Sequence, residues 1–122
     1  MRAPGAGVAA LLLVAVGCGE VADPELEPGE PAPASVQEPS EALPGGRWSV
    51  LVRLQEHRVD GHDLVLAEFE TDALACPDGR PGDPATLAAG DRVEVERADR
   101  FEVARADPPT VRVARLTATD CA

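Results

Sequence analysis

Apolar and polar side chains begin to alternate at Trp48, where Trp48, Val50, Val52 and Leu54 interleave with Ser49, Leu51, Arg53 and Gln55. A period of two puts one set on each face of an extended chain, so this stretch predicts a half-buried β-strand. Asp60-Gly61 follows between Val59 and His62, and a second strand is predicted over 64–71. Asp-Gly is a strong hairpin signal because a type I′ turn needs positive φ at both central positions. Carried outward from that turn without interruption, the register sets Val59 opposite His62, Arg58 opposite Asp63, Arg53 opposite Glu68 and Val52 opposite Phe69. Cross-strand pairs of these opposite-charge and apolar kinds contribute roughly 0.2–1 kcal/mol each. The core face of the hairpin then reads Trp48, Val50, Val52, Leu54, Ala67 and Phe69.

Downstream, Pro77, Gly79, Pro81, Gly82 and Pro84 punctuate a long loop over 76–90, with one helical turn near 85–89. Leu87-Ala88-Ala89-Gly90-Asp91 leads into the alternation Arg92-Val93-Glu94-Val95-Glu96. Phe101 and Val103 predict a short strand, Pro108-Pro109 breaks the chain, and a last strand is predicted over 110–118. Five short strands in 47–122 predict an all-β domain, a small antiparallel five-stranded barrel or curled sheet. The pattern Leu87-x-x-Gly90-Asp91-x-Val93-x-Val95 resembles strand entries in small β-barrels of the OB-like and SH3-like kinds.

Two segments of other character precede this domain. Residues 19–46 hold six prolines, seven acidic residues and no basic one, with neither helical nor strand period. Such composition predicts a disordered, extended tether, a spacer or else a Pro-rich partner motif. Ahead of it, Met1-Arg2 is followed by the unbroken apolar run Val8 to Val16. As a helix that run rises ~14 Å, short of the roughly 20 residues a bilayer span needs. It reads as the apolar region of a signal peptide. The predicted organisation is therefore 1–17 signal peptide, 18–46 tether headed by Cys18, and 47–122 barrel.

The chain has 122 residues and a formal charge of -11, with 22 acidic side chains against 11 basic ones, all Arg. Affinity for nucleic acid comes largely from neutralising phosphates with basic residues, so nucleic acid is excluded as a partner. One Trp, two Phe and no Tyr leave few stacking platforms.

Ala15-Val16-Gly17-Cys18 resembles the lipobox of bacterial lipoproteins, with Ala15 where Leu is usual. The resemblance implies that the Cys18 sulfur takes a diacylglycerol, that the chain is cleaved just before it, and that an acyl chain such as palmitate caps the new N-terminus. Several chains together give stable anchoring. It further implies a place in the cell envelope. In a Gram-negative host, Gly19 rather than Asp after the Cys implies the outer membrane, facing the periplasm or the surface. The other reading is an ordinary secretory signal with an incidental Cys. With Cys18 assigned to lipid, Cys76 and Cys121 remain as an even pair in an oxidising compartment, where a disulfide is expected. It would close a loop of ~46 residues and add about 4 kcal/mol by the chain-entropy model. Two free thiols or a metal pair are the alternatives, although zinc needs further Cys or His at close spacing and none lies near either residue.

Other chemistry-bearing residues read as structural. His57, His62 and Asp63 gather at the hairpin, where a metal corner is weighed against exposed turn histidines. Asp78-Gly79 and Gly82-Asp83 lack any calcium-loop spacing and read as turns. Ser49 and Thr71 have no His in an evident triad. Glu68 and Glu70, and Glu94 and Glu96 beside Arg92 and Arg97, read as solvated, salt-bridged faces. No catalytic, metal or cofactor site is predicted. The outward face of the hairpin carries Leu51, Leu64 and Leu66, a contact patch unless the 73–90 loop folds over it or the sheet is covered on both faces. The expected function is an envelope lipoprotein whose barrel is a structural or protein-interaction module, bound to the membrane by its lipid and to an envelope protein partner. The alternative is an OB-type module for a small ligand or oligosaccharide, with Trp48 and Phe101 as its only aromatic candidates.

Overall fold

The barrel starts earlier than the hairpin. The computed structural model describes residues 23–99 and 103–121. In it Ala32, Ala34 and Val36 are buried from strand β1 (Pro31–Val36), while Pro33 and Ser35 alternate with them. The remaining strands are β2 (Glu41–Leu43), β3 (Arg47–Leu54), β4 (Leu64–Glu70), β5 (Leu74–Ala75), β6 (Arg92–Arg97), β7 (Val103–Ala104) and β8 (Thr110–Ala118). β1 pairs with β3 and β6, β6 with β8, β8 with β4, and β4 with β3, so five strands close into a ring. β2 lies beside the start of β3, and β5 and β7 lie beside β8.

The fold is all-β, but the ring is mixed rather than wholly antiparallel. Strands that are each antiparallel to both neighbours can close only in even number, so a ring of five must contain a parallel seam. That seam is β4–β8, with Leu66, Ala67 and Glu68 paired to Thr110, Val111 and Arg112. Counted in chain order, the ring runs first, second, third, fifth, fourth and back to first. This is the order of an OB-like Greek-key barrel.

The reading of 18–46 as tether is corrected over the described part of that range. Pro24 to Leu43 is woven into the barrel, which does not begin at Arg47. Leu26 is 1% exposed and plugs the end of the barrel from which β1 sets out. Leu26 N donates to Arg58 O at 2.7 Å, Arg58 N to Pro24 O at 2.9 Å and Gly29 N to Arg97 O at 2.9 Å. The Arg97 guanidinium, also buried, donates from Nη1 to Leu26 O at 2.8 Å. Arg97 thus continues the inward face of β6 instead of joining Glu94 and Glu96 on a solvated one. Prolines at 31 and 33 are compatible with a barrel strand because β3 reaches β1 only from Ala34 onward. The missing N–H groups fall where β1 has a strand on one side only.

The Asp60-Gly61 turn is formed as expected, with φ of 51° and 81° and reciprocal Val59–His62 hydrogen bonds of 2.8 and 2.9 Å. The strand register is corrected. Arg53 lies opposite Leu64, Val52 opposite Val65, Ser49 opposite Glu68 and Trp48 opposite Phe69. Residues 55–58 leave the ladder, and Arg58 bonds to the 24–26 segment. That departure absorbs an even number of residues, so the predicted core face survives the slip. Val50, Val52, Leu54, Ala67 and Phe69 are buried, while Trp48 is half-buried at the core's edge.

A fragment starting at Arg47 lacks β1 and leaves two seams of the ring open, on β3 and β6. We expect it to lose the cooperative urea transition and near-ultraviolet dichroism that a fragment starting at Asp23 retains. Leu26→Ala in the full chain should cost about 2–4 kcal/mol, as for other buried Leu truncations, read from the urea midpoint.

Candidate functional site

Alternation along β3 and β4 turns Ser49, Leu51 and Arg53, and Leu64, Leu66 and Glu68, to the outside of the barrel. Leu51 and Leu66 are direct cross-strand partners, and both are half-exposed. Leu64 sits one step further along, opposite Arg53. The structure therefore brings Leu51 and Leu66 together at the base of a groove and leaves Leu64 outside it. The groove encloses about 270 Å³, and its rim is Glu38, Pro39, Ser40 and Glu41, with Ser49 beside the leucines.

The rim is held in place from both sides. Gln37 N donates to Leu51 O at 2.8 Å, tying the end of β1 to β3. Ser40 Oγ donates to Pro84 O, and Ser40 N donates to Leu87 O at 3.3 Å. Among the predicted alternatives for this patch, coverage by the 73–90 loop is not what occurs. That loop stands behind the rim and supports it. The groove's charged lining is acidic, from Glu38 and Glu41, with no basic residue among its lining groups. Arg47 pairs with Glu68 at 3.4 Å and Arg53 with Asp63 at 3.1 Å. The exposed Arg53–Asp63 pair contributes about 0–1 kcal/mol, and together with the half-buried Arg47–Glu68 pair it replaces the Arg53–Glu68 and Arg58–Asp63 pairs of the uninterrupted register.

The histidines do not form a common site. His57 is buried rather than exposed, with Nε2 3.2 Å from Glu30 Oε2. His62 Nδ1 lies 3.7 Å from Asp107 Oδ1. Among the described residues no group of three His, Cys, Asp or Glu is placed to hold a metal. Asp78 accepts from Arg80 N and Asp83 from Ala85 N, so both carboxylates brace turns. Thr71 Oγ1 donates to Gly46 O at 2.8 Å and accepts from Trp48 Nε1 at 3.0 Å, which fixes the indole at the barrel edge. Phe101 and Cys18 lie outside the described residues. Sequence reasoning missed Glu38, Ser40 and Glu41, because their prolines and charges read as linker.

Cys76 and Cys121 form a disulfide with Cα atoms 5.7 Å apart across a separation of 45 residues. It ties the loop after β5 to the end of β8, at the end of the barrel opposite the Leu26 plug. No protein-family model matches the chain, nor does any curated protein or solved structure.

Replacing Cys76 and Cys121 together by Ala should lower stability by about 2–4 kcal/mol. The urea midpoint should fall while the transition stays cooperative, and reductant should no longer shift it.

Proposed function

We propose that the chain is a lipid-anchored protein of the cell envelope, and that its barrel is an interaction module with the β3–β4 groove as its contact site. The partition of the three cysteines carries this reading. Cys76 and Cys121 are bonded to each other, which leaves Cys18 as the odd thiol, and it stands where a lipobox-like run ends. The groove supports the second half. Two apolar side chains at its base and two carboxylates on its rim suit a protein segment that presents an apolar side chain beside a basic one. They repel phosphate.

A second reading is favoured by one observation. The ring order puts the groove on the second and third barrel strands, with the first connecting loop as its rim, which is where OB-type barrels hold ligands. Under that reading a small ligand or oligosaccharide occupies the groove. Its binding would register in the fluorescence of Trp48, which opens the same strand.

Intact mass of the membrane-extracted protein tests the anchor. The expected product begins at Cys18, carries a diacylglycerol and a further acyl chain, and gains the hydrogens of an opened disulfide in reductant. An unprocessed chain with three free thiols overturns the proposal. For the groove, Leu51→Thr with Leu66→Thr keeps good strand formers at half-exposed positions. This double variant should hold a near wild-type urea midpoint yet lose the envelope protein that co-purifies with the parent. Undiminished co-purification would rule the groove out.

A further inference from the structure

If Cys18 carries the lipid, as proposed above, the structure also determines how the barrel is held. We infer that the Leu26-plugged end faces the membrane at short range and that the disulfide end faces the aqueous side, with the groove on the flank between them. The argument is one of reach. A tether over 19–46 would allow a wide excursion, but residues from Pro24 onward belong to the barrel. Only six residue steps separate Cys18 from Pro24. At no more than ~3.6 Å per residue they reach at most about 22 Å, whatever their conformation.

The leash is fastened where it arrives. Besides the Leu26 and Arg97 contacts, Asp60 N donates to Glu25 Oε1 at 2.8 Å and His57 holds Glu30. Peeling this segment back to lengthen the leash would expose Leu26 and leave the buried Arg97 without its Leu26 carbonyl. The end so tethered carries the Val59–His62 turn and the chain around Arg105. Trp48 and the disulfide lie at the other end, about one strand away, and the Glu38–Glu41 rim runs from mid-strand toward that end. The eight residues of β3 span ~26 Å at 3.3 Å each. Adhesion is not what orients the barrel. Glu25, Glu27, Asp60 and Asp107 outnumber Arg58 and Arg105 on the lower end, so anionic headgroups would repel it within a Debye length of ~8 Å.

The test compares two exposed tryptophans in the lipidated full chain, both in a Trp48→Phe background: Arg105→Trp at the lower end and Ala89→Trp at the upper. The proteins are reconstituted in phosphatidylethanolamine–phosphatidylglycerol vesicles containing a dansyl-headgroup lipid, and energy transfer from Trp to dansyl is measured. Transfer should be several-fold greater from position 105. It should fall to the level of position 89 when a long Gly/Ser spacer is inserted between Gly19 and Glu20. Equal transfer from both positions, or greater transfer from 89, in protein whose lipid is confirmed by mass overturns the orientation. Protein without lipid on Cys18 overturns the anchor and the orientation with it, and the mass measurement tells the two failures apart.

Discussion

Closure of a five-membered ring is the constraint on which the rest of this molecule depends. An odd ring needs one parallel seam, and a parallel seam cannot be made by a hairpin. The chain must leave β4, travel over the top of the barrel and return through β6 before β8 can lie alongside β4. That journey occupies 71–109 and creates the long, Pro- and Gly-rich stretch that would otherwise have little to hold it. The disulfide sits on this crossover, joining its outbound arm at Cys76 to the end of the returning strand at Cys121. The staple is therefore placed where topology makes the chain loosest, and this is where loop closure gains most.

The other necessity of closure is a strand between β3 and β6, and β1 supplies it with the least conspicuous residues available. Its inward side chains are Ala32, Ala34 and Val36, and its outward ones include Pro31 and Pro33. Small inward residues fit because Phe69, Leu26, Leu74 and Leu116 already occupy the core around them. This is why the strand was illegible in the sequence. A period of two was present, but prolines and acidic neighbours outweigh Ala-x-Ala-x-Val as a composition signal. Strands with large β-branched inward residues were legible, so Val50, Val52, Val65, Val93, Val95, Val111 and Val113 were all recognisable as strand positions.

The hairpin shows the same division between local and non-local information. Asp60-Gly61 dictates its own turn, and the turn formed. What the turn could not encode is that 55–58 serve another part of the chain, where Arg58 bonds to Pro24 and Leu26 and His57 meets Glu30. Register is propagated from a turn only while nothing else competes for the strand's backbone. Here the N-terminal segment competes, and the ladder restarts at Leu54 opposite Asp63 with its faces unchanged. The candidate site inherits both outcomes. Leu51 and Leu66 were recognisable as outward apolar residues because the faces are preserved. The rim over them was not, because Glu38 to Glu41 enter the site only through a strand that composition disguised.

Under the anchoring proposed at Cys18, the plug at Leu26 links these features to the membrane. Had the barrel begun at Arg47, its position relative to a lipid at Cys18 would have been loose, and any side of it would have met the membrane. With β1 inside the ring, the residues that seal the core at one end are also those that would take the load of the anchor proposed at Cys18. Force applied there would pass into Leu26, Arg58 and Arg97 before it reached the strands. Under that proposal, stability of the lower end and orientation at the membrane become a single property, and a change that frees Leu26 would weaken the core and lengthen the leash at once.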